Sequence, residues 1–287
     1  MSYYPPEKTR SRRRGGGMSA FKVRLLIGGA IMLFSVVSYL SSGSINPVTG
    51  EKQRVSMSEK EEIVLGLQAR DGMVAQHDGP SDDVRSSKHV ENMGARLMNT
   101  LYHRLKREGI EIPYPFEFHL LNDARVVNAF ALPGGQVFIT EALYYQLENE
   151  GQLAGVIGHE IGHVLERHGA QRMAKGKLTQ GLVGAVGVAG GGSGADRATA
   201  AIANVIIKGY GRNDELESDR WGVELMVLAG YDPTHMLGVM DILERSTGGA
   251  GGPPEFMSTH PKPANRKEYI RNIIAERFPN GLPPGLR

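Results

Sequence analysis

Residues 153–165 read LAGVIGHEIGHVL, and within them His159-Glu160-Ile161-Gly162-His163 has the spacing HExxH. On a helix advancing about 100° per residue, His163 lies about 40° round from His159, so both imidazoles leave one face a turn apart. Two ring nitrogens so placed can share one zinc ion at about 2.0–2.1 Å each. Glu160 falls about 100° away, beside such an ion rather than on it, where a carboxylate can take a proton from an attacking water. Leu153, Ile157, Ile161, Val164 and Leu165 lie on the opposite side, so the same helix has an apolar face to anchor in a core. A surface helix with an accidental histidine pair would lack that face.

A catalytic zinc needs a third protein ligand, and here it must come from another element. His168 falls on the far side of the helix and reads as a C-terminal cap or a packed histidine. The continuation HExxHxxGxxH fails, because Glu166 and Gly169 stand where Gly and His are required. Glu166 faces the ligand side, but its offset from His159 is about 10 Å of rise. Downstream, Glu215-Leu216-Glu217-Ser218-Asp219 puts Glu215 and Asp219 on one helical face and turns Glu217 away. One of the two carboxylates can bind metal while the other holds a histidine Nδ1–H; a solvated acidic face is the plain alternative. His260-Pro261 lies in a loop before a helix. Its ring is free to donate to the oxyanion of a tetrahedral intermediate, to occupy the metal's open position, or simply to hold the loop.

Around this centre the pattern is α+β and mainly helical, with a small sheet among many helices. Ser58-Glu59-Lys60-Glu61 is a capping box that opens a helix to about residue 76. A second helix over 84–107 has Val90, Met93, Leu97, Leu101 and Leu105 on one stripe. Strands are expected over 116–120, 126–132 and 136–140, the last two joined through Pro133-Gly134-Gly135. Helices follow over 141–148, 150–168, 199–229, 233–246 and 263–277. Residues 181–195 (GLVGAVGVAGGGSGA) are too rich in glycine for a comfortable helix, at about 1 kcal/mol per glycine relative to alanine. They read as a mobile loop. Because no charge occurs between Lys177 and Asp196, a membrane-dipping segment is the alternative.

The N-terminal part has a different character. The 287 residues have a net charge of +2, and seven Lys/Arg against Glu7 give residues 1–24 a balance of +6, leaving −4 for the rest. Leu25 to Leu40 has no charged residue. As a helix that run spans about 24 Å against a bilayer core of about 30 Å, a gap closed by extending it towards Ile45. A cationic flank before an apolar run predicts a cytoplasmic N-terminus over 1–24, a transmembrane signal anchor over 25–45 and an exported domain over 46–287. In a bacterium that means the inner membrane with the domain on the periplasmic side. The same segment also fits a cleaved signal peptide that leaves a soluble periplasmic domain. The basic cluster lacks interleaved aromatic residues, so nucleic acid is not an expected partner. The chain has no cysteine, which excludes thiolate metal sites, a thiol nucleophile and disulfide staples.

Together these residues resemble the gluzincin endopeptidases of the HtpX and type I CAAX prenyl protease family, which includes periplasmic and mitochondrial inner-membrane quality-control proteases. The resemblance runs from Asn46-Pro47-Val48-Thr49-Gly50 through residues 128–135 (NAFALPGG), the HExxH, and Arg212-x-x-Glu215-x-x-x-Asp219. It ends at Ser258-Thr259-His260-Pro261 and Arg266. Ser218 departs from the family's usual alanine, and the single apolar segment places the chain nearest the exported, single-anchor members. The resemblance implies one Zn²⁺ per chain held by His159, His163 and Glu215, with Glu160 as base, Asp219 behind a ligand and His260 acting near the metal. It also implies that Asn128, Ala129 and Phe130 form an edge strand that pairs with an extended substrate backbone, an ordinary core strand being the alternative. The expected function is zinc-dependent hydrolysis of peptide bonds in unfolded or misfolded exported or membrane proteins. The alternatives are a zinc-bound chaperone or assembly factor with incidental proteolysis, and a structural interaction module. Oligomeric state is not legible.

Overall fold

A computed structural model of the chain describes residues 19–190, 210–246, 260 and 265–287. Its first helix, α1 (Ala20–Ser41), is capped by the Ser19 side chain and is long and apolar enough to cross a membrane. It starts earlier than the uncharged run and stops short of Ile45. Ser41 and Ser42 turn their hydroxyls back onto the carbonyls of Val37 and Tyr39, both at 2.8 Å. The Asn46 carboxamide then accepts from Val48 N at 2.8 Å and closes a turn. Gly43–Ile45 is therefore a strand, β1, paired antiparallel with β2 (Lys52–Arg54), and not the end of the apolar helix.

Helix α2 (Glu59–Gln76) starts at the Ser58–Glu61 capping box, and α3 (Val84–Arg107) starts at Asp83. All five residues of the α3 stripe are buried. Strands β3 (Glu117–Leu121), β4 (Ala129–Leu132) and β5 (Gln136–Thr140) form a sheet in the order β3-β5-β4, with β3 parallel and β4 antiparallel to β5. The β4–β5 turn needs its glycines, since Gly134 and Gly135 have φ of 86° and 106°. After α4 (Glu141–Tyr144), shorter than its expected span, comes α5 (Glu150–Leu165), which carries the HExxH.

Two expectations fail beyond α5. The helix expected to run to residue 168 breaks at Arg167, whose φ is 58°, and a new helix, α6 (His168–Gly190), begins there. The glycine-rich stretch is helical as far as Gly190 rather than a loop, and residues 191–195 lie outside the described residues. The physical reason is packing. A Cβ on Gly28 of α1 would sit 2.7 Å from Ala185 O, and one on Gly181 would sit 2.0 Å from Ser35 Oγ. Glycine's low propensity is offset by two helices lying closer than any larger residue permits. Helices α7 (Arg212–Leu228), α8 (His235–Arg245) and α9 (Arg266–Arg277) complete the described chain. Residues 199–209 and 263–264 of the expected helices lie outside it.

Every residue of α5 from Gly151 to Leu165 is buried. One side meets the sheet and α3, and the other meets α7 and α8. Against α7 the contact is backbone to backbone: a Cβ on Gly162 would lie 2.9 Å from Ser218 Cα, and one on Gly158 would lie 3.2 Å from Gly222 Cα. Replacing Gly162 by alanine should therefore destabilise the fold by about 1–3 kcal/mol through forced separation of the helices. The control is Gly176→Ala, where a Cβ meets nothing within 4 Å; it should be neutral or stabilising by about 0.4–1 kcal/mol. Urea midpoints of the detergent-solubilised protein read both.

The cap of α3 gives a pH prediction. Asp83 accepts from Ser86 Oγ at 2.6 Å, from Ser86 N at 3.1 Å and from Tyr145 OH at 2.9 Å, which pulls its carboxyl down to about 2. A depressed carboxyl stabilises above its unfolded value and stops doing so as pH falls through its folded one. The melting-temperature advantage over Asp83→Asn should be full above the ordinary aspartate value of about 3.9. It should vanish as pH approaches about 2.

Candidate functional site

The close approach of α5 and α7 carries the carboxylates of α7 to the histidines of α5. His159 Nε2 and His163 Nε2 are 3.1 Å apart, Glu215 Oε2 is 3.5 Å from the first and Glu215 Oε1 is 3.6 Å from the second. His260 comes in from outside these helices, with Nδ1 3.0 Å from Glu215 Oε1 and 3.4 Å from His159 Nε2. One donor atom from each of the four lies within 4.8 Å of all the others, and all four residues are buried. Four ligands at about 2.0–2.1 Å from a tetrahedral ion stand about 3.3 Å from one another. The observed spacings straddle that value, so this donor set fits an ion of that size. Among the described residues it is the one such group.

The two carboxylates of α7 lie on different sides of His159. Glu215 is among the donors, and Asp219 Oδ1 sits 3.0 Å from His159 Nδ1 on the far side of the ring. Arg266 at the start of α9 donates to both Asp219 oxygens, at 2.8 and 2.7 Å, and its third nitrogen is 3.2 Å from Glu215 Oε2. His168 does not lie on the wrong side. The break at Arg167 folds it back so that its Nδ1 is 2.9 Å from His163 Nδ1, while its Nε2 is 2.9 Å from Glu217 Oε2. The Tyr210 ring stacks on His163 with centroids 4.0 Å apart, and the Arg172 guanidinium lies over the Tyr210 ring, 5.4 Å from its centre. Glu166, the ligand-side carboxylate that is too distant, instead accepts from Trp221 Nε1 at 2.6 Å.

Glu160 is fully buried, and neither of its oxygens has a hydrogen-bond partner among the described residues. The His260 ring is close by, with Nε2 3.6 Å from Glu160 Oε1. Burial pushes the Glu160 carboxyl above the usual range. Burial alone would do the same to Glu215, but the charge of His260 and hydrogen bonds from His159 and His260 hold it well below. Asp219 is also held low, against its burial, by Arg266 and His159. Burial and the neighbouring His159 keep His163 far below an ordinary histidine, so it is a neutral imidazole. Burial and Arg266 oppose a proton on His159, yet hydrogen bonds to Asp219 and Glu215 push it up to about 9. Arg266 and the proton on His159 face the buried Glu215 and Asp219 carboxylates here, and a divalent cation held by the donors would take the place of that proton.

The sheet lies against α5, and β4 is an edge strand of it. Ala129 and Phe130 are in β4, and Asn128 stands just before it, with Asn128 O accepting from Thr140 N at 3.0 Å. Phe130 stacks on Phe138 at 4.9 Å and so points into a core cluster; main-chain atoms, not this ring, are what the strand has to offer a ligand. Two residues that shape the site give no readable signal. Arg167 gives no hint in its residue type of a positive φ, and Tyr210 belongs to no motif. Arg266 marked the end of the family resemblance, but without a role.

A match to peptidase family M48 covers residues 89–274. The chain is 34% identical over 195 residues to the beta-barrel assembly-enhancing protease of Yersinia pestis, a match covering 64% of this chain and 40% of that protein. The protein of the same name from Escherichia coli (strain K12) is 34% identical over 193 residues, covering 64% and 39%. The mitochondrial metalloendopeptidase OMA1 of Schizosaccharomyces pombe is 30% identical over 162 residues, covering 56% of this chain and 47% of that one. The matched region is thus less than half of each of these relatives. The HExxH of α5, the Glu215–Asp219 pair of α7 and the sheet beside them all fall within the matched residues, and the chain belongs to peptidase family M48.

Proposed function

We propose that the protein is a zinc-dependent endopeptidase, held at the inner membrane by α1 with its domain on the periplasmic side, that cleaves unfolded or misfolded exported or membrane polypeptides. The observation that carries the reading is the grouping of four buried donors within 4.8 Å of one another beside a buried carboxylate, Glu160, whose oxygens accept no hydrogen bond among the described residues. In this reading His159, His163 and Glu215 hold one Zn²⁺. The ion when bound supplies Lewis acidity, activating a water and polarising a carbonyl. Glu160 takes the proton of the attacking water and returns it to the leaving amine, a task suited to a carboxyl whose burial raises its basicity. Asp219, clamped by Arg266, fixes the His159 tautomer, and His168 does the same for His163. His260 stands at the fourth corner of the donor set. Its Nε2, 3.6 Å from Glu160 Oε1, would be the group that donates to the oxyanion of a substrate carbonyl. The β4 edge, with Asn128, Ala129 and Phe130, gives an extended substrate a backbone to pair with, which favours flexible segments over particular sequences.

A second reading is supported by the names of the bacterial relatives, which couple proteolysis to assembly of β-barrels. In it the chain holds zinc and aids assembly, with cleavage incidental. Glu160→Gln separates the two. As an endopeptidase, the variant should bind zinc stoichiometrically and lose about 10²–10⁴-fold in cleavage of an unfolded fluorescent protein. Unchanged turnover overturns the mechanism, and full rescue of a deletion strain by the inactive variant favours the assembly reading.

Metal binding has its own check. Asp219→Asn should weaken zinc affinity about 10–100-fold, since it removes the carboxylate that orients His159. His159→Ala should abolish stoichiometric binding. Competition with a chromogenic chelator at fixed pH measures both; wild-type affinity in His159→Ala rejects this donor set, and in Asp219→Asn it rejects the orienting role of Asp219.

A further inference from the structure

Helix α6 links the donor cluster to α1. It begins at His168, against His163, and runs antiparallel to α1: Ala174, Lys177 and Leu178 lie beside Ser38 and Tyr39, Gly181 beside Ser35, and Ala185 and Ala189 beside Gly28. The two helices therefore share levels along α1. At the upper level are charges and an aromatic ring. Arg54 donates to Leu40 O at 2.8 Å with its guanidinium 5.4 Å from the Tyr39 ring centre, and Lys177 is at the same height. Below that level α6 has no charged residue from Leu178 to Ala189, and α1 has none from Tyr39 back to Leu25. Two hydroxyls in this stretch turn back onto their own helices, Thr179 Oγ1 donating to Lys175 O at 2.9 Å and Ser35 Oγ to Ile31 O at 2.8 Å. The outer faces are apolar and uncovered, with Phe34 74% exposed on α1 and Val186 41% exposed on α6.

We infer that the second half of α6, Leu178 to Ala189, is immersed in the same bilayer as α1, the two forming an antiparallel pair whose uncovered apolar faces meet lipid acyl chains. Lipid is the occupant because a band of cations with an amphipathic ring separates the polar domain from the uncharged levels on both helices at one height. The glycine and alanine contacts suit that setting, where close backbone approach rather than hydrophobic collapse holds helices together. Twelve helical residues reach about 18 Å, more than half of a hydrocarbon core of about 30 Å. From Lys177 back to His168 is about 14 Å of helix, so the donor cluster stands close above the membrane surface. Polypeptide segments emerging from the bilayer are thereby within reach of Glu160. The inference rests on α1 being membrane-inserted.

Because the chain has no cysteine, single nitroxide labels can be placed in the full-length protein without further substitution. Val186→Cys on α6, Phe34→Cys on α1 and Met173→Cys above the proposed surface are labelled and reconstituted in phosphatidylethanolamine–phosphatidylglycerol vesicles, each checked for wild-type zinc content. Accessibility to oxygen and to a water-soluble nickel chelate is then compared. The expected result is a high oxygen-to-nickel ratio at Val186 and Phe34 and a low one at Met173. A high ratio at Phe34 with a low one at Val186 overturns the immersion of α6 and leaves α1 as an anchor. Low ratios at both overturn the anchor and the pair together. Low accessibility of Val186 to both reagents means that protein, such as a second copy of the chain, covers this face, and it also overturns the inference.

Discussion

The site depends on how closely α5 and α7 approach each other. Side chains between two packed helices normally keep their axes 8–10 Å apart, and any residue larger than glycine at 158 and 162 would meet the backbone of Ser218 and Gly222. With glycine there, Glu215 reaches both histidine Nε2 atoms and Asp219 reaches behind His159. Gly162 is inside the HExxH itself. One of the two unspecified positions of the motif therefore has a steric role as strict as those of its named residues. Ser218 is small enough to fit the same contact, so its difference from the family's usual alanine is tolerated.

The second constraint is electrostatic. Glu160, Glu215 and Asp219 are all without solvent exposure, and burying ionised carboxylates is expensive unless something positive or hydrogen-bonded faces them. Arg266 meets part of that need through Asp219 and Glu215, and the histidines meet more of it. Thus α9 is tied to the site by charge even though its own apolar contribution to the core is small, with Ile270 and Ile273 buried. The arrangement stiffens the ring of His159 from both sides. His163 is fixed differently, by His168 and by the face of Tyr210.

How much of this was legible follows from the range over which each determinant acts. The HExxH helix, the α3 stripe, the Ser58 cap and the Pro133-Gly134-Gly135 turn are local patterns, and each is found where the sequence places it. The end of α1 and the break at Arg167 were missed because serine hydroxyls and a single positive φ stop a helix without a distinctive residue. Helix α6 was missed for the opposite reason. Its glycines lower local helix propensity, and only α1 lying against Gly181 and Ala185 makes that composition favourable.

The sequence by itself determined the chemistry on offer: two imidazoles a turn apart, a carboxylate beside them, a second acidic pair four residues apart, and no thiol. It also determined the apolar N-terminal helix behind a basic flank. Only the tertiary structure shows how these groups sit: Glu215 near both histidine Nε2 atoms, Asp219 on the far side of His159, His168 turned back to His163, and His260 and Arg266 brought against Glu215 and His159. Periodicity orders residues that share one helix, whereas these contacts join residues as far apart as 107 positions in the chain. Their placement depends on backbone separation and on balancing buried charge, which are properties of the packed molecule.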